Sequence, residues 1–252
     1  MGANGSGERS TSQTVKAQLA LRDLVLEGKL RPGERVSELQ MVERLGVSRT
    51  PVRTALVRLA EEGLLESIPS GGFAVRAFSE REVFEAIEIR GTLEGLAARL
   101  AAERGASSEE LDRMSGCLDA IDAVVLGKKP TVDDISRYVE LNAQFHGLIV
   151  AMSGSHALGR QLERASALPF ASPSAFVQVQ SASPEAHYIL TVAQDQHRCV
   201  VNAIERRESG RAEAIMREHA RLAHRNLERA FANQRFLDLI PGSVLIQPRM
   251  RA

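Results

Sequence analysis

The 252-residue chain contains no tryptophan, and aromatic residues make up only 4% of it. That scarcity argues against a single-strand nucleic-acid binder, which needs aromatic faces on which bases stack. Cysteine is nearly absent too: Cys117 and Cys199 lie far apart, each within a helical pattern. No disulfide framework is expected, and a reducing cytoplasm fits. Net charge is missing, since 32 Lys+Arg face 32 Asp+Glu. A protein that coats nucleic acid along its whole surface is basic, so any such binding here must reside in a local patch. No apolar run approaches the roughly 18 residues of a membrane span. No charged start followed by an apolar segment marks a secretory leader. The expected location is the cytoplasm, with no membrane partner. Gly-x-Ser-x-Gly, His-Glu-x-x-His and a glycine-rich phosphate loop after a strand are absent as well, so no catalytic signature stands out. What is present is 44% hydrophobic content, enough for one or two domains with proper cores.

The most informative stretch is Gly46-Val47-Ser48-Arg49-Thr50-Pro51-Val52-Arg53-Thr54-Ala55-Leu56-Val57-Arg58-Leu59. Gly46 permits a left-handed turn. Ser48 is suited to cap a helix, its hydroxyl accepting from free amides of the first turn. Pro51 falls early in that helix, where its missing N–H is not needed. Val52, Leu56 and Leu59 form one apolar stripe. Arg49, Arg53 and Arg58, with Thr50 and Thr54, fall largely off it, and no Asp or Glu occurs from Arg44 to Ala60. A short helix with a basic, hydroxyl-rich face is what major-groove reading requires. An ordinary amphipathic helix with solvated arginines has the same pattern, so the flanking segments have to decide.

Residues 1–12 are polar and rich in Gly and Ser, and are expected to be disordered. A first helix runs from Thr14 to near Gly28. Leu30 to Arg35 reads as a turn, and Ser37 caps a second helix from Glu38 to Leu45. After the arginine-rich helix, Leu64 to Pro69 and Phe73 to Phe78 read as strands joined at Ser70-Gly71-Gly72. Helix, helix-turn-helix and hairpin in that order make a winged helix-turn-helix, assigned to residues 13–78. From Ser79, with Glu82 three residues on as a capping box, the remainder is helical. Helices are expected at 80–104, 107–127, 131–153, 155–167, 184–207 and 209–235, with Ser209 and Gly210 separating the last two. Leu168 to Ser183 reads as a loop or a short helix with loops. Residues 79–235 therefore form an all-α antiparallel bundle, and 236–252 a tail without assigned role. The fold class is mainly α.

The helical part carries a second set of polar residues. Asn142 and His146 are spaced i, i+4, one turn apart on one helix face. His197 and His219 sit on two later helices. Three imidazoles and an amide oxygen from three helices could converge on a divalent metal such as Zn²⁺ or Ni²⁺. Sequence leaves open whether they converge, and histidines in helices are more often surface or hydrogen-bonded core residues. Arg90 and Glu94 form another i, i+4 pair. It is either a helical salt bridge or an arginine aimed into the bundle to clamp a carboxylate.

Taken together, these motifs resemble the GntR superfamily of bacterial transcription regulators, and more closely its FadR subfamily with an all-helical FCD effector domain. Pro32-Gly33-Glu34-Arg35, the Gly46–Leu56 stretch and Glu62-Gly63-Leu64 match the winged-helix pattern. Arg90-x-x-Leu93-Glu94, Phe145-His146, His197-Arg198 and His219 match the effector domain. The resemblance covers residues 14 to 235. It implies a homodimer on a pseudo-palindromic operator, with Arg35, Ser48, Arg49, Thr50, Arg53 and Gly71 at the DNA. It places Asn142, His146, His197 and His219 on metal-ligand positions and Arg90 opposite the carboxylate of a small effector. Two departures stand out. Thr54 occupies a usually acidic position, and Asn142 replaces the Asp of many relatives, which implies a metal that is bound more weakly or is differently chosen. The wording Glu88 to Arg99 and Tyr138-x-x-x-Asn142-x-x-Phe145-His146 is further similar to vanillate-type repressors, implying an aromatic acid as effector.

The expectation is thus a DNA-binding repressor, and not an enzyme, controlled by a carboxylate beside a metal. The alternatives are a helical metal-dependent hydrolase or isomerase, for which no acid or base is convincingly placed, and a direct metal sensor switched by the ion alone.

Overall fold

In the computed structural model, which describes residues 5–126, 131–175, 177 and 186–247, the chain divides into two units. Met1–Arg81 with Gly242–Ala252 form one, and Glu82–Pro241 the other.

The first unit opens with α1 (Gly5–Leu26), which packs on α3 (Arg49–Glu61). Ala17, Leu21 and Val25 of α1 and Val52, Ala55, Leu56 and Leu59 of α3 are fully buried. Each of the larger side chains contributes about 1.5–3 kcal/mol by leaving water. Gln18 and Arg22 also reach Glu62, at 2.7 and 2.5 Å. Between these helices lies α2 (Glu38–Leu45), closed by Gly46 in the left-handed conformation (φ 63°). A three-stranded antiparallel sheet follows, in the order β1 (Arg35–Val36), β3 (Phe73–Val75), β2 (Leu65–Ser67). Arg35 stands opposite Ala74, and Leu65 opposite Val75. The hairpin was expected, with longer strands. The third strand was not, because Arg35-Val36 is too short to show a period and follows turn residues Pro32-Gly33.

Three further differences concern this unit. Helix α1 begins at Gly5, inside the lead-in expected to be disordered, while residues 1–4 lie outside the described residues. Once Ala17 to Val25 anchor the helix, extending it by further turns avoids a new nucleation step. Ser48 stands at the cap position of α3, yet its hydroxyl makes no cap bond. The tail is the third. Leu245 and Ile246 are buried, and β5 (Ile246–Gln247) pairs in parallel with β4 (Phe78–Ser79) in this same unit. Residues 248–252 of that tail lie outside the described residues.

The second unit contains α4 (Glu80–Arg104, which starts two residues earlier in the chain), α5 (Ser108–Val125), α6 (Val132–Met152), α7 (His156–Ala165), α8 (Ala186–Glu205), α9 (Ser209–Phe231) and the short α10 (Gln234–Leu237). Capping boxes start α5 (Ser107 with Glu110) and α6 (Thr131 with Asp134). Their apolar faces meet in one core that includes Ala98, Ile121, Phe145, Val200 and Met216. The break between α8 and α9 falls at Arg207, a non-glycine residue at φ 59°, and Ser209 and Gly210 already belong to α9. The last long helix ends at Phe231, not at 235. Parts of the expected elements at 127–130, 176 and 178–185 lie outside the described residues.

Two glycines set how closely α4 approaches α9. A Cβ on Gly91 would lie 2.5 Å from Ala220 Cβ, and one on Gly95 would lie 2.6 Å from Arg217 Cγ. Arg217 can swing away, but Ala220 cannot without moving its helix. Gly91→Ala is therefore expected to destabilise the protein by about 1–3 kcal/mol, outweighing the roughly 1 kcal/mol of helix propensity gained. Gly95→Ala should destabilise it too, though less, because its Cβ would also lie 3.2 Å from the Glu213 carbonyl oxygen, which moves only with its helix. Urea unfolding of both variants checks this, and a Gly91→Ala protein as stable as its parent would contradict the close approach.

Candidate functional site

Helix α3 buries Pro51, Val52, Ala55, Leu56 and Leu59 and turns its arginines outward. The Arg49 and Arg53 side chains are 81% and 72% exposed. Both are held by one carboxylate that the motif reading missed. Glu38 Oε2 accepts from Arg49 Nε at 2.8 Å, and Oε1 lies 3.5 Å from Arg53 Nε. Glu38 is outside the Arg44–Ala60 stretch, and only the turn between α2 and α3 brings it alongside. Because it engages the Nε atoms, among the described residues no hydrogen bond is made by the outer guanidinium nitrogens, which can fork toward a phosphate or a guanine edge. Thr50 is exposed, and its carbonyl accepts from the Thr54 hydroxyl at 3.1 Å. Arg35 Nη2 donates to the carbonyl of Gly71 at 2.7 Å. It therefore ties strand β1 to the hairpin tip, where Gly71 and Gly72 both have positive φ.

The second constellation lies within the Glu82–Pro241 unit. His146 (α6), His197 (α8) and His219 (α9) are buried, and one ring nitrogen from each lies within 4.8 Å of the others. Of the convergence left open by the sequence, the meeting of the three imidazoles is thus observed. His197 Nε2 and His219 Nε2 approach to 3.1 Å. Their outer nitrogens face amide oxygens: His197 Nδ1 meets Gln194 Oε1 at 3.1 Å, and His219 Nδ1 meets Gln196 Oε1 at 3.2 Å. His146 Nδ1 lies 2.9 Å from Glu94 Oε1. That contact is close but misaligned for a hydrogen bond, so both ring nitrogens of His146 are buried without a hydrogen-bond partner.

Arg90 and Glu94 are buried on α4 with 3.8 Å between Nη1 and Oε1. Arg90 Nε and Glu94 Oε2 have no hydrogen-bond partner. Burial opposes ionisation of Glu94, but Arg90, His146 and His219 outweigh it and bring its pKa to about 2. Burial drives the other way for His197 and His219. It pushes His219 down to about 3, helped by His146 and Arg90 and opposed by Glu94. His197 falls well below its ordinary value through burial, then through His219 and His146. These imidazoles are neutral at physiological pH, the form that binds metal.

Arg90, Tyr138, Asn142 and His219 line a small cavity, partly open to solvent, with apolar walls that include Val177, Ala193 and Leu222. Asn142 Nδ2 donates to Ser174 Oγ at 3.1 Å, and that hydroxyl donates to the Val139 carbonyl at 3.3 Å. With its nitrogen so engaged, the amide keeps its oxygen for another partner. The residue set fits a divalent cation on three counts: the neutral imidazoles of His197 and His219, a buried His146 Nε2 without a hydrogen-bond partner, and two Nε2 atoms at a distance where a cation or a shared proton must lie. Among residues missed from sequence, Gln194 carried a readable signal, standing three residues before His197 on the same helix face.

Comparisons with known proteins agree with this architecture. Residues 85–222 match the family profile described as the FCD domain, and residues 11–75 match "Bacterial regulatory proteins, gntR family". A probable D-xylose utilization operon transcriptional repressor of Paenarthrobacter nicotinovorans is 30% identical over 220 residues, 86% of this chain and 90% of that one. The HTH-type transcriptional regulator YdhC of Bacillus subtilis (strain 168) is 33% identical over 144 residues, 57% of this chain and 62% of that protein. Among solved structures, E. coli McbR/YncC shares the fold with a TM-score of 0.58 at 21% identity, over 87% of this chain and 98% of that one. No helix among the described residues is long and apolar enough to cross a membrane.

Proposed function

The chain belongs to the GntR family of bacterial regulatory proteins and carries an FCD domain, and from that membership we propose that it is a homodimeric repressor governed by a small carboxylate held beside a divalent metal ion. It is a DNA-binding transcription regulator and not an enzyme. The hydrolase or isomerase considered from sequence is set aside. Residues 13–78 read the operator and 79–235 sense the effector, with the protein acting in the cytoplasm. Two copies place α3 in successive major grooves of a pseudo-palindrome, with Arg35, Ser48, Arg49, Thr50, Arg53 and the Gly71 tip at the DNA.

The observation that carries the effector reading is the histidine cluster beside a cavity bearing Arg90. His146, His197 and His219 supply nitrogen and Asn142 an oxygen, a donor set suited to Zn²⁺ or Ni²⁺. A bound divalent ion would polarise a carboxylate placed against it. Charge balance then selects the ligand. Arg90 and Glu94 offset one another, and imidazole and amide ligands bring no charge when they bind a cation, so among the described residues of the site nothing meets the ion's charge. An anion seated between it and Arg90 completes the site. Metal alone leaves that charge uncompensated and Arg90 Nε unpartnered, which favours an organic acid over a direct metal sensor. An aromatic acid such as vanillate is one candidate, given the cavity's apolar walls. Coupling to DNA requires that the ligand favour one of two arrangements of the dimer. The helix that bears Arg90 begins directly after strand β4 of the first unit, so its displacement is the route proposed.

A thermal-shift screen of carboxylic acids with and without Zn²⁺ or Ni²⁺ tests this reading. A true effector should stabilise the protein strongly only when metal is present, because binding to the folded state alone raises stability by mass action. Arg90→Gln should remove that stabilisation while leaving metal binding. Hits that ignore both metal and Arg90→Gln would overturn the reading.

A further inference from the structure

The two glutamines that meet the facing histidines are not equivalent. Gln194 Nε2 donates twice, to the Leu118 carbonyl at 2.9 Å and to Asp122 Oδ1 at 2.8 Å. Leu118 and Asp122 lie one turn apart on α5, and Asp122 is in turn ion-paired with Arg198. A carbonyl and a carboxylate only accept, so turning the Gln194 amide over would set oxygen against oxygen. Its oxygen must therefore face His197 Nδ1, and the ring proton of neutral His197 must sit on that nitrogen. His197 Nε2 then presents a lone pair to the cluster.

Gln196 has no such anchor. Among the described residues its side chain has one hydrogen-bond partner, His219 Nδ1. Its amide is free to turn, so His219 can adopt either tautomer. With His197 Nε2 bare, the 3.1 Å approach of the two Nε2 atoms is a hydrogen bond only if His219 carries its proton on Nε2. Accepting a cation requires His219 to carry that proton on Nδ1 instead, toward the Gln196 oxygen. The change moves one proton within a neutral ring and releases none.

We propose that Gln194 is the positioning residue of the cluster, locking His197 as a ready ligand, while His219, held by the turnable Gln196, changes tautomer when a divalent cation enters. The second clause rests on the metal reading above, whereas the first does not. Outer partners of this kind orient ligand imidazoles in metal sites generally.

The test is a two-bond ¹H–¹⁵N correlation spectrum of the full chain labelled at histidine and stripped of metal, with signals assigned by single His→Gln variants. His197 is expected as the Nδ1–H tautomer both without metal and with Zn²⁺. His219 is expected as Nε2–H without metal and Nδ1–H with Zn²⁺. Gln194→Leu should give His197 mixed tautomers and weaken Zn²⁺ binding about 10–100-fold, with Gln196→Leu changing affinity less. An Nε2–H signal for His197 in the parent protein overturns the proposal without any variant. So does a Gln194→Leu protein that keeps both the parental spectrum and the parental Zn²⁺ affinity. If the parent binds no Zn²⁺, the metal reading and the His219 exchange fall, and the metal-free His197 tautomer still decides the role of Gln194.

Discussion

Replacing Arg49 and Arg53 together with alanine is expected to lower operator affinity by about 2–6 kcal/mol, taking roughly 1–3 kcal/mol for each arginine that meets a base. Both side chains are solvent-exposed, so folding stability should change by no more than about 0.5 kcal/mol. The two losses are not independent, since both arginines share Glu38. With them gone, Glu38 presents an unbalanced carboxylate to the phosphates, and the double variant should fall below the sum of the singles. Adding Glu38→Ala should return part of the non-specific affinity but none of the sequence preference. Fluorescence-anisotropy titrations on an operator selected from random duplexes, and on a scrambled duplex, would measure this. Unchanged operator affinity in the double variant would remove α3 from the role of reader.

Replacing His197 and His219 together with leucine should abolish stoichiometric metal, weakening binding well beyond the roughly 100-fold that loss of an outer partner costs. Elemental analysis of protein dialysed against Zn²⁺ checks this, and a full complement in the variant would refute the ligand assignment. The same pair should alter the response of the metal-free protein to acid. Both histidines have depressed folded pKa values, that of His219 being about 3. Below the ordinary value of 6.5 the unfolded chain binds protons that the folded chain refuses, so stability is lost as pH falls from 6.5 toward 3. Glu94, brought from 4.5 to about 2, contributes stability above 4.5 that is lost between those two values. The parent should therefore begin to lose melting temperature near pH 6, and the leucine variant much of its loss only below about pH 4.5. An identical pH profile for the two proteins would contradict the burial of neutral imidazoles.

Much of the reader was legible in the chain. Gly46, Pro51 and the stripe Val52-Leu56-Leu59 act within one or two helical turns, where backbone preferences and periodicity suffice to locate a helix and its exposed face. The Ser70-Gly71-Gly72 tip was readable for the same reason. The hydroxyl of Ser48 was not, because a cap-compatible residue need not make the cap bond. Arg207 was also overlooked, since a left-handed arginine carries no composition signal of the kind glycine does.

The helical unit divides differently. Its helices, its capping box at Ser107 and the i, i+4 pairs Arg90/Glu94 and Asn142/His146 follow from spacing along the chain, and so did their family resemblance. Spacing cannot show that His146, His197 and His219 meet, because they stand on three helices whose approach depends on packing. Gly91 against Ala220 is part of that packing, and it brings α4 close to α9. Nor can spacing show that Glu38 pairs with two arginines across a turn, or that Gln194 is held by Leu118 and Asp122 from another helix. Local order along the chain thus settled most of the long helices and what chemistry each carries. The folded core settled which side chains share a buried space, because only there do desolvation and unsatisfied hydrogen bonds make one arrangement of distant residues far better than the rest.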